Sequence, residues 1–275
     1  MLTLNCKGRL LSFEQPVVMG IMNATPDSFY MGSRLRDAET AVRRAGEMLE
    51  NGAGIIDIGG QSTRPGSAPV GAGEELRRVV PVIEAVTKQF PEAIISVDTY
   101  YADVAAAAVD AGAAIINDVS AGTIDEDLLP LAARLRVPYV LMHMQGHPQT
   151  MQLNPQYQNV TLEVFDALNK KLHSLRSMGI HDVIIDPGFG FGKNAVHNFK
   201  LLRELHFFQQ LSCPVMVGLS RKATVYKTLG ITAEEALNGT TVMHTIALLN
   251  GAHILRAHDV RAAKEAITLV QAYQQ

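Results

Sequence analysis

Eight short apolar runs recur along this chain, and nearly every one ends in a polar or charged residue close to glycine, serine or proline. The runs are 17–22, 55–58, 94–97, 115–116, 139–142, 183–185, 215–217 and 254–255. They are followed by Asn23, the segment 59–66, Asp98, Asn117 with Asp118, His143, Asp186, the triplet Ser220, Arg221 and Lys222, and finally Arg256 with His258. Between them lie segments with helical spacing, such as 38–50, 74–88, 101–111, 162–178 and 236–249. Uninterrupted apolar runs of strand length suit strands buried on both faces, and their alternation with helices predicts an α/β chain closed as a (β/α)8 TIM barrel. In that fold the interior is filled with side chains and the loops after the strands build the site at one rim, so the polar strand ends predict ligand contacts. A doubly wound open sheet would carry the same runs and also place ligands at strand C-termini. Eight units favour closure.

With 275 residues, 47% hydrophobic and 19% charged, the chain matches the size of one barrel, and we read residues 1–275 as a single domain. Residues 1–14 are expected to form a small hairpin that plugs the bottom of the barrel. The two cysteines, Cys6 and Cys213, have neither metal-ligand spacing nor a disulfide framework, which suits a reducing, cytoplasmic setting. No charged and apolar leader opens the chain and no apolar run reaches about eighteen residues, so neither secretion nor a membrane partner is expected. A net charge of −3 argues against a nucleic-acid partner, whereas Arg64, Arg221, Lys222 and Arg256 offer local positive charge to an anionic small molecule.

The segment 59–66 reads Gly-Gly-Gln-Ser-Thr-Arg-Pro-Gly. Its glycines permit close backbone approach, its hydroxyls donate hydrogen bonds, and Arg64 can grip phosphate oxygens in a bidentate fork. The stretch from Asp186 to Lys193 is rich in glycine but is neither a P-loop nor a dinucleotide fingerprint. Pro187 stands where a P-loop needs glycine, Asn194 stands where it needs Ser or Thr, and the segment follows the sixth strand rather than the first. Asp98, Asn117 and Asp186 end three different strands, so a closed barrel would bring two carboxylates and an amide to one volume. Carboxylate oxygens suit a ring with adjacent N–H donors, such as a 2-aminopyrimidinone, with Phe191 as a flat apolar face and Lys222 completing the polar ring. Asp98 has a plainer alternative as the N-cap of the following helix. Nine histidines form no zinc-ligand array. His143 and His258 stand at strand ends, whereas His173, His181, His197 and His206 are expected on helix surfaces.

Taken together, residues 19–29 (Met-Gly-Ile-Met-Asn-Ala-Thr-Pro-Asp-Ser-Phe), 59–66, 96–99, 116–118, 142–146, 186–193, 220–222 and 256–260 resemble the dihydropteroate synthase family. The resemblance runs in order from Met19 to Val260. It implies a TIM barrel that condenses 6-hydroxymethyl-7,8-dihydropterin pyrophosphate with 4-aminobenzoate, giving 7,8-dihydropteroate and pyrophosphate, with sulfonamides acting as aminobenzoate mimics. By the same resemblance Asp98, Asn117, Asp186 and Lys222 would hold the pterin, with Val119, Met142 and Phe191 packed around its ring. Asn23 would help bind Mg2+, and Asn23, Thr63, Arg64, Arg256 and His258 would bind pyrophosphate. Phe29, Pro65, Ser220, Arg221 and Lys222 would shape the aminobenzoate side. Arg64, Lys222, Arg256 and His258 would carry the catalytic charge, and the assembly would be a homodimer.

Two positions depart from the family pattern. Met31 stands where an acidic residue is common, and Gln61 stands where glutamate is common. The expectation is retained activity with a differently organised first loop. The rivals are a pterin-binding paralogue without turnover and a barrel methyltransferase acting on a reduced folate. The retained Arg64, Ser220, Arg221, Arg256 and His258 weigh against the first, and the Ser-Thr-Arg-Pro-Gly loop against the second.

Overall fold

A computed structural model describes residues 2–24, 34–61, 70–146, 151 and 154–275, with residues 34–37 as backbone alone. An antiparallel hairpin of β1 (Thr3–Cys6) and β2 (Arg9–Ser12) comes first. Eight parallel strands follow, namely β3 (Val17–Asn23), β4 (Ala53–Gly59), β5 (Ile94–Asp98), β6 (Ile115–Asp118), β7 (Tyr139–Met142), β8 (Val183–Asp186), β9 (Met216–Val217) and β10 (Ile254–Ala257). The helices between and after them are α1 (Arg34–Glu50), α2 (Ala72–Gln89), α3 (Ala102–Asp110), α4 (Leu128–Leu135), α5 (Val160–Ser177), α6 (Ala195–Arg203), α7 (Ala223–Leu229), α8 (Leu237–Leu249) and α9 (Val260–Gln274), with a 3-10 segment at Leu205–Leu211.

Hydrogen bonding runs in the order β8-β7-β6-β5-β4-β3-β10-β9. The ends then meet. Ile185 pairs with Val215, and its N–H donates to the Pro214 carbonyl at 2.8 Å, which joins β8 to the entry of β9. The sheet is therefore the closed (β/α)8 barrel and not the open doubly wound alternative. β9 is short because Pro214, just before it, has no N–H to give to a ladder.

The alternation of strand side chains divides the core in two. Met19, Ile55, Ile115, Val140, Ile184, Met216 and Ile254 come from seven different strands and still form one cluster, which only inward-facing positions can do. Leu4, Cys6 and Phe13 of the N-terminal segment belong to the same cluster, so the hairpin covers the barrel at the end where its strands begin. The intervening residues, including Val18, Ile56, Ile95, Ile116, Leu141, Ile185, Val217 and Leu255, join the larger cluster between barrel and helices. One expectation is corrected. His181 lies in the loop before β8 rather than on a helix, because α5 ends at Ser177 and Gly179 takes a positive φ of 90°.

Ile55 is fully buried between the hairpin and the polar layer above it. Ile55→Ala should cost about 2–5 kcal/mol of unfolding free energy, read as a lower urea midpoint at unchanged slope.

Candidate active site

Two residues beyond the apolar inner layer the barrel interior turns polar. Stepping from Ile55, Ile94, Ile115, Val140, Ile184 and Ile254 gives Asp57, Ser96, Asn117, Met142, Asp186 and Arg256 on six strands. Period-two alternation keeps all six on the inner face. It also separates Asn117 from its neighbour Asp118, which turns outward and accepts hydrogen bonds from Ser120 N–H, Gly122 N–H and the Tyr139 hydroxyl, each at 2.6 Å.

The Arg256 guanidinium organises this layer. Its Nε donates to Asp57 Oδ2 and its Nη2 to Asp98 Oδ2, each at 2.6 Å. Asn117 Nδ2 donates to the same Asp57 oxygen at 2.9 Å. Burial pushes the Asp98 carboxyl up to about 7 against the pull of Arg256, with Asp57, Glu75 and Asp118 adding negative charge nearby. Burial disfavours the charged form of Arg256, but the carboxylates of Asp57 and Asp98 outweigh it and hold the group above its ordinary range. Asp98 does not act as a helix cap, since α3 begins only at Ala102 with Tyr101 before it.

Across the pocket Asp186 accepts the Gly188 N–H at 2.7 Å, and burial raises its carboxyl although Lys222 opposes the shift. Lys222 donates to the Phe189 carbonyl and lies 4.6 Å from the Phe191 ring centroid, a cation-π contact; burial lowers its ammonium to about 8. Val119, Met142 and Phe191 form one apolar wall together with Tyr100 and Met151.

The glycine-rich stretch owes its composition to close packing between two loops. Gly188 has φ of 73°, and a Cβ there would fall 1.9 Å from the His143 carbonyl oxygen. Gly192 has φ of 64°, and its Cβ would fall 2.3 Å from the Gln145 oxygen. Lys193, only 2% exposed, fastens the two loops. Its Nζ donates to the carbonyls of Gly188 and Phe191 at 3.0 Å and of His143 at 3.3 Å, and sits 2.9 Å from His143 Nδ1. Burial and then the Lys193 charge lower His143 to about 3, so its ring is neutral and Nδ1 can accept. Asn198 completes the brace by accepting from Gly190 N–H and donating to Thr224.

At the other side of the rim, Ser220 Oγ accepts the His258 backbone N–H at 3.1 Å and lies 3.0 Å from His258 Nδ1. Arg221 faces Asp259, with Nε and Nη2 at 2.8 and 2.9 Å from its carboxylate, and its Nη1 donates to the carbonyls of Ala233 and Glu234. One of its five N–H donors makes no hydrogen bond to a described residue. Asn23 ends β3. Gln61 donates to and accepts from the Tyr100 hydroxyl and accepts the Val70 N–H, so the amide makes a donor bond that an ionised glutamate could not. Phe29, Met31, Thr63, Arg64 and Pro65 lie outside the described residues.

The structure thus brings Asp98, Asn117, Val119, Met142, Asp186, Phe191, Lys222 and Arg256 to one pocket and sets Ser220 and His258 together at its edge. Sequence reasoning passed over Asp57 and Lys193. Asp57 sat inside a run read as apolar, and the signal was the carboxylate itself, because a charge in a strand buried on both faces needs a partner. Lys193 carried no such signal; its role depends on carbonyls from two loops.

The chain matches the family model described as pterin binding enzyme over residues 19–258. It is 43% identical to the dihydropteroate synthase of Escherichia coli K12 over 268 residues, covering 97% of this chain and 94% of the relative. The structure of a Xanthomonas albilineans dihydropteroate synthase in complex with 7,8-dihydropteroate superposes with a TM-score of 0.88 at 41% identity, covering 99% of this chain and 98% of that one. A Yersinia pestis dihydropteroate synthase with a bound sulfonamide drug superposes at 0.93 with 40% identity and 99% coverage of both chains.

The carboxylate of Asp98 exists mainly above about pH 7 and the ammonium of Lys222 mainly below about pH 8. The affinity of a ligand that needs both charges should therefore follow a bell-shaped pH profile with limbs near those values, and Lys222→Met should abolish the alkaline limb.

Proposed function

We infer the reaction from the premise that the chain belongs to the pterin-binding enzyme family. It catalyses the dihydropteroate synthase reaction, in which 6-hydroxymethyl-7,8-dihydropterin pyrophosphate and 4-aminobenzoate give 7,8-dihydropteroate and pyrophosphate in folate biosynthesis, the step that sulfonamides target. The observation that carries this reading is the polar ring of Asp98, Asn117, Asp186 and Lys222, with Asn117 and Asp186 buried, facing the apolar wall of Val119, Met142 and Phe191, with Arg256 beside it.

In our reading the ring and wall hold the pterin. The C–O bond between its methylene and pyrophosphate breaks with the electron pair leaving on oxygen, positive charge builds on the methylene, and the aminobenzoate nitrogen adds there and loses a proton. Buried carboxylates favour the developing cation, while Arg256 and His258, with Thr63 and Arg64 of the second loop, take the departing anion. This is electrostatic stabilisation by groups already in place. Ser220, Arg221, Phe29, Pro65 and Lys222 border the aminobenzoate.

Asn23 fits a magnesium ion. Its side chain makes no hydrogen bond to any described residue and offers one neutral oxygen, and Mg2+ typically takes one or two protein oxygens together with substrate phosphates and water. Among the described residues no group of three or more His, Cys, Asp or Glu could hold a metal ion without such help. When bound, the ion would neutralise charge on the leaving pyrophosphate.

Cytoplasmic placement is supported by two buried free thiols and by the absence, among the described residues, of a helix long and apolar enough to cross a membrane. A homodimer is supported by the outer faces of α8 and α9. Val242, Ile246 and Leu249 on α8 and Leu269 and Tyr273 on α9 stay exposed, a run of large apolar side chains that a monomer would leave in water.

Two experiments follow. Purified protein given Mg2+ and both substrates should release dihydropteroate and pyrophosphate in equal amounts, and Asp186→Asn or Arg256→Ala should lower turnover by about a hundredfold or more. Pterin binding without product would instead make the chain a non-catalytic paralogue. Light scattering should give twice the 29.8 kDa chain mass, reduced to one chain by Val242→Glu.

A further inference from the structure

Asp57 is fully buried at the middle of β4, and its two oxygens are used unequally. Oδ2 accepts both from Asn117 Nδ2 and from Arg256 Nε, while Oδ1 has no hydrogen-bond partner among the described residues. A carboxylate in an ion pair with guanidinium can only accept, so the atom of Asn117 that faces it has to be the amide nitrogen. The Asn117 carbonyl oxygen is thereby turned the other way, where it makes no hydrogen bond to a described residue. Asp98 and Asp186 each likewise spend one carboxylate oxygen within the protein, on Arg256 and on Gly188 N–H. One oxygen each of Asp98, Asn117 and Asp186 thus remains as an acceptor, beside the donors that Lys222 and Arg256 do not spend on Phe189, Asp57 and Asp98.

We propose that Asp57 is a positioning residue that sets the orientation of the Asn117 amide and the Arg256 guanidinium, and so makes the pocket select a ring with an amine over one with a carbonyl at the position that meets the Asn117 oxygen. The inference rests on the reading that a pterin binds here. With Asp57 in place, the amide cannot rotate to meet a carbonyl without turning its oxygen against the carboxylate. The exocyclic amine of a pterin meets this acceptor pattern. A pteridine-2,4-dione, which carries oxygen in place of that amine, leaves a buried acceptor facing an acceptor.

The test compares inhibition by 2-amino-4-oxopteridine and by pteridine-2,4-dione against the pterin pyrophosphate substrate, in the wild type, Asp57→Asn, Asn117→Ala and the double variant. The wild type should prefer the amino compound by about tenfold or more. Asp57→Asn should cut that preference about tenfold because the freed amide can present either end, and should raise KM for the pterin substrate while KM for 4-aminobenzoate stays within about twofold. Asn117→Ala should cut the preference similarly, and adding Asp57→Asn to it should cause no further loss. Equal weakening of both compounds, with the preference intact, would show that Asp57 only packs the barrel and would overturn the proposal. Should Asp57→Asn not fold, an undiminished preference in Asn117→Ala overturns it as well. Product formation by the wild type in the same assay distinguishes failure of this inference from failure of the assigned reaction.

Discussion

The ion pairs from Arg256 to Asp57 and Asp98 are the constraint around which the upper half of the barrel is arranged. Removing a charge from water costs several kcal/mol even after relaxation, and a buried pair broken on one side costs about 3–5 kcal/mol. These groups persist because each answers another. Arg256 comes from β10, whereas its partners stand on β4 and β5, with β3 between them in the hydrogen-bonded order. The curl of the barrel shortens this reach across β3, and across β3 and β4 for Asp98, so closure and the charged layer support one another.

Below that layer the interior is apolar and sealed by Leu4, Cys6 and Phe13 of the N-terminal segment. Above it the loops take over. The division follows from a period of two: a single step of two residues carries each strand from the layer that contributes burial energy to the layer that contributes chemistry. The apolar side also shapes the site, since Met142 stands in the polar layer and packs with Val119, Phe191, Tyr100 and Met151 into the wall a flat ring would lie against. Lys193 plays the corresponding part for the loops, because its buried ammonium draws carbonyl groups of two separate turns to one point.

Much of this was legible beforehand. Eight apolar runs, their helical spacers and their polar ends indicated a barrel and the rim where its ligand groups converge, because strand burial and side-chain alternation are local properties. Asp98, Asn117, Asp186, Phe191 and Lys222 were readable by position alone. Asp57 was not, since one polar residue within a run of isoleucines does not break the pattern of a buried strand. Nor were Tyr100 and Met151, which reach the wall from loops. Arg221 was readable as a cation, but its pairing with Asp259 was not.

The amino-acid sequence by itself determined the number of strands, the face each side chain takes and the chemical types that gather at the rim, since these depend on hydrophobic period and residue identity. The tertiary structure alone decided which oxygen each donor is spent on. Arg256 meets Asp57 across 199 positions and Asp98 across 158, and Lys193 meets His143 across 50. Such contacts are set by barrel closure and loop packing, and it is the donors and acceptors left over from them that a ligand encounters.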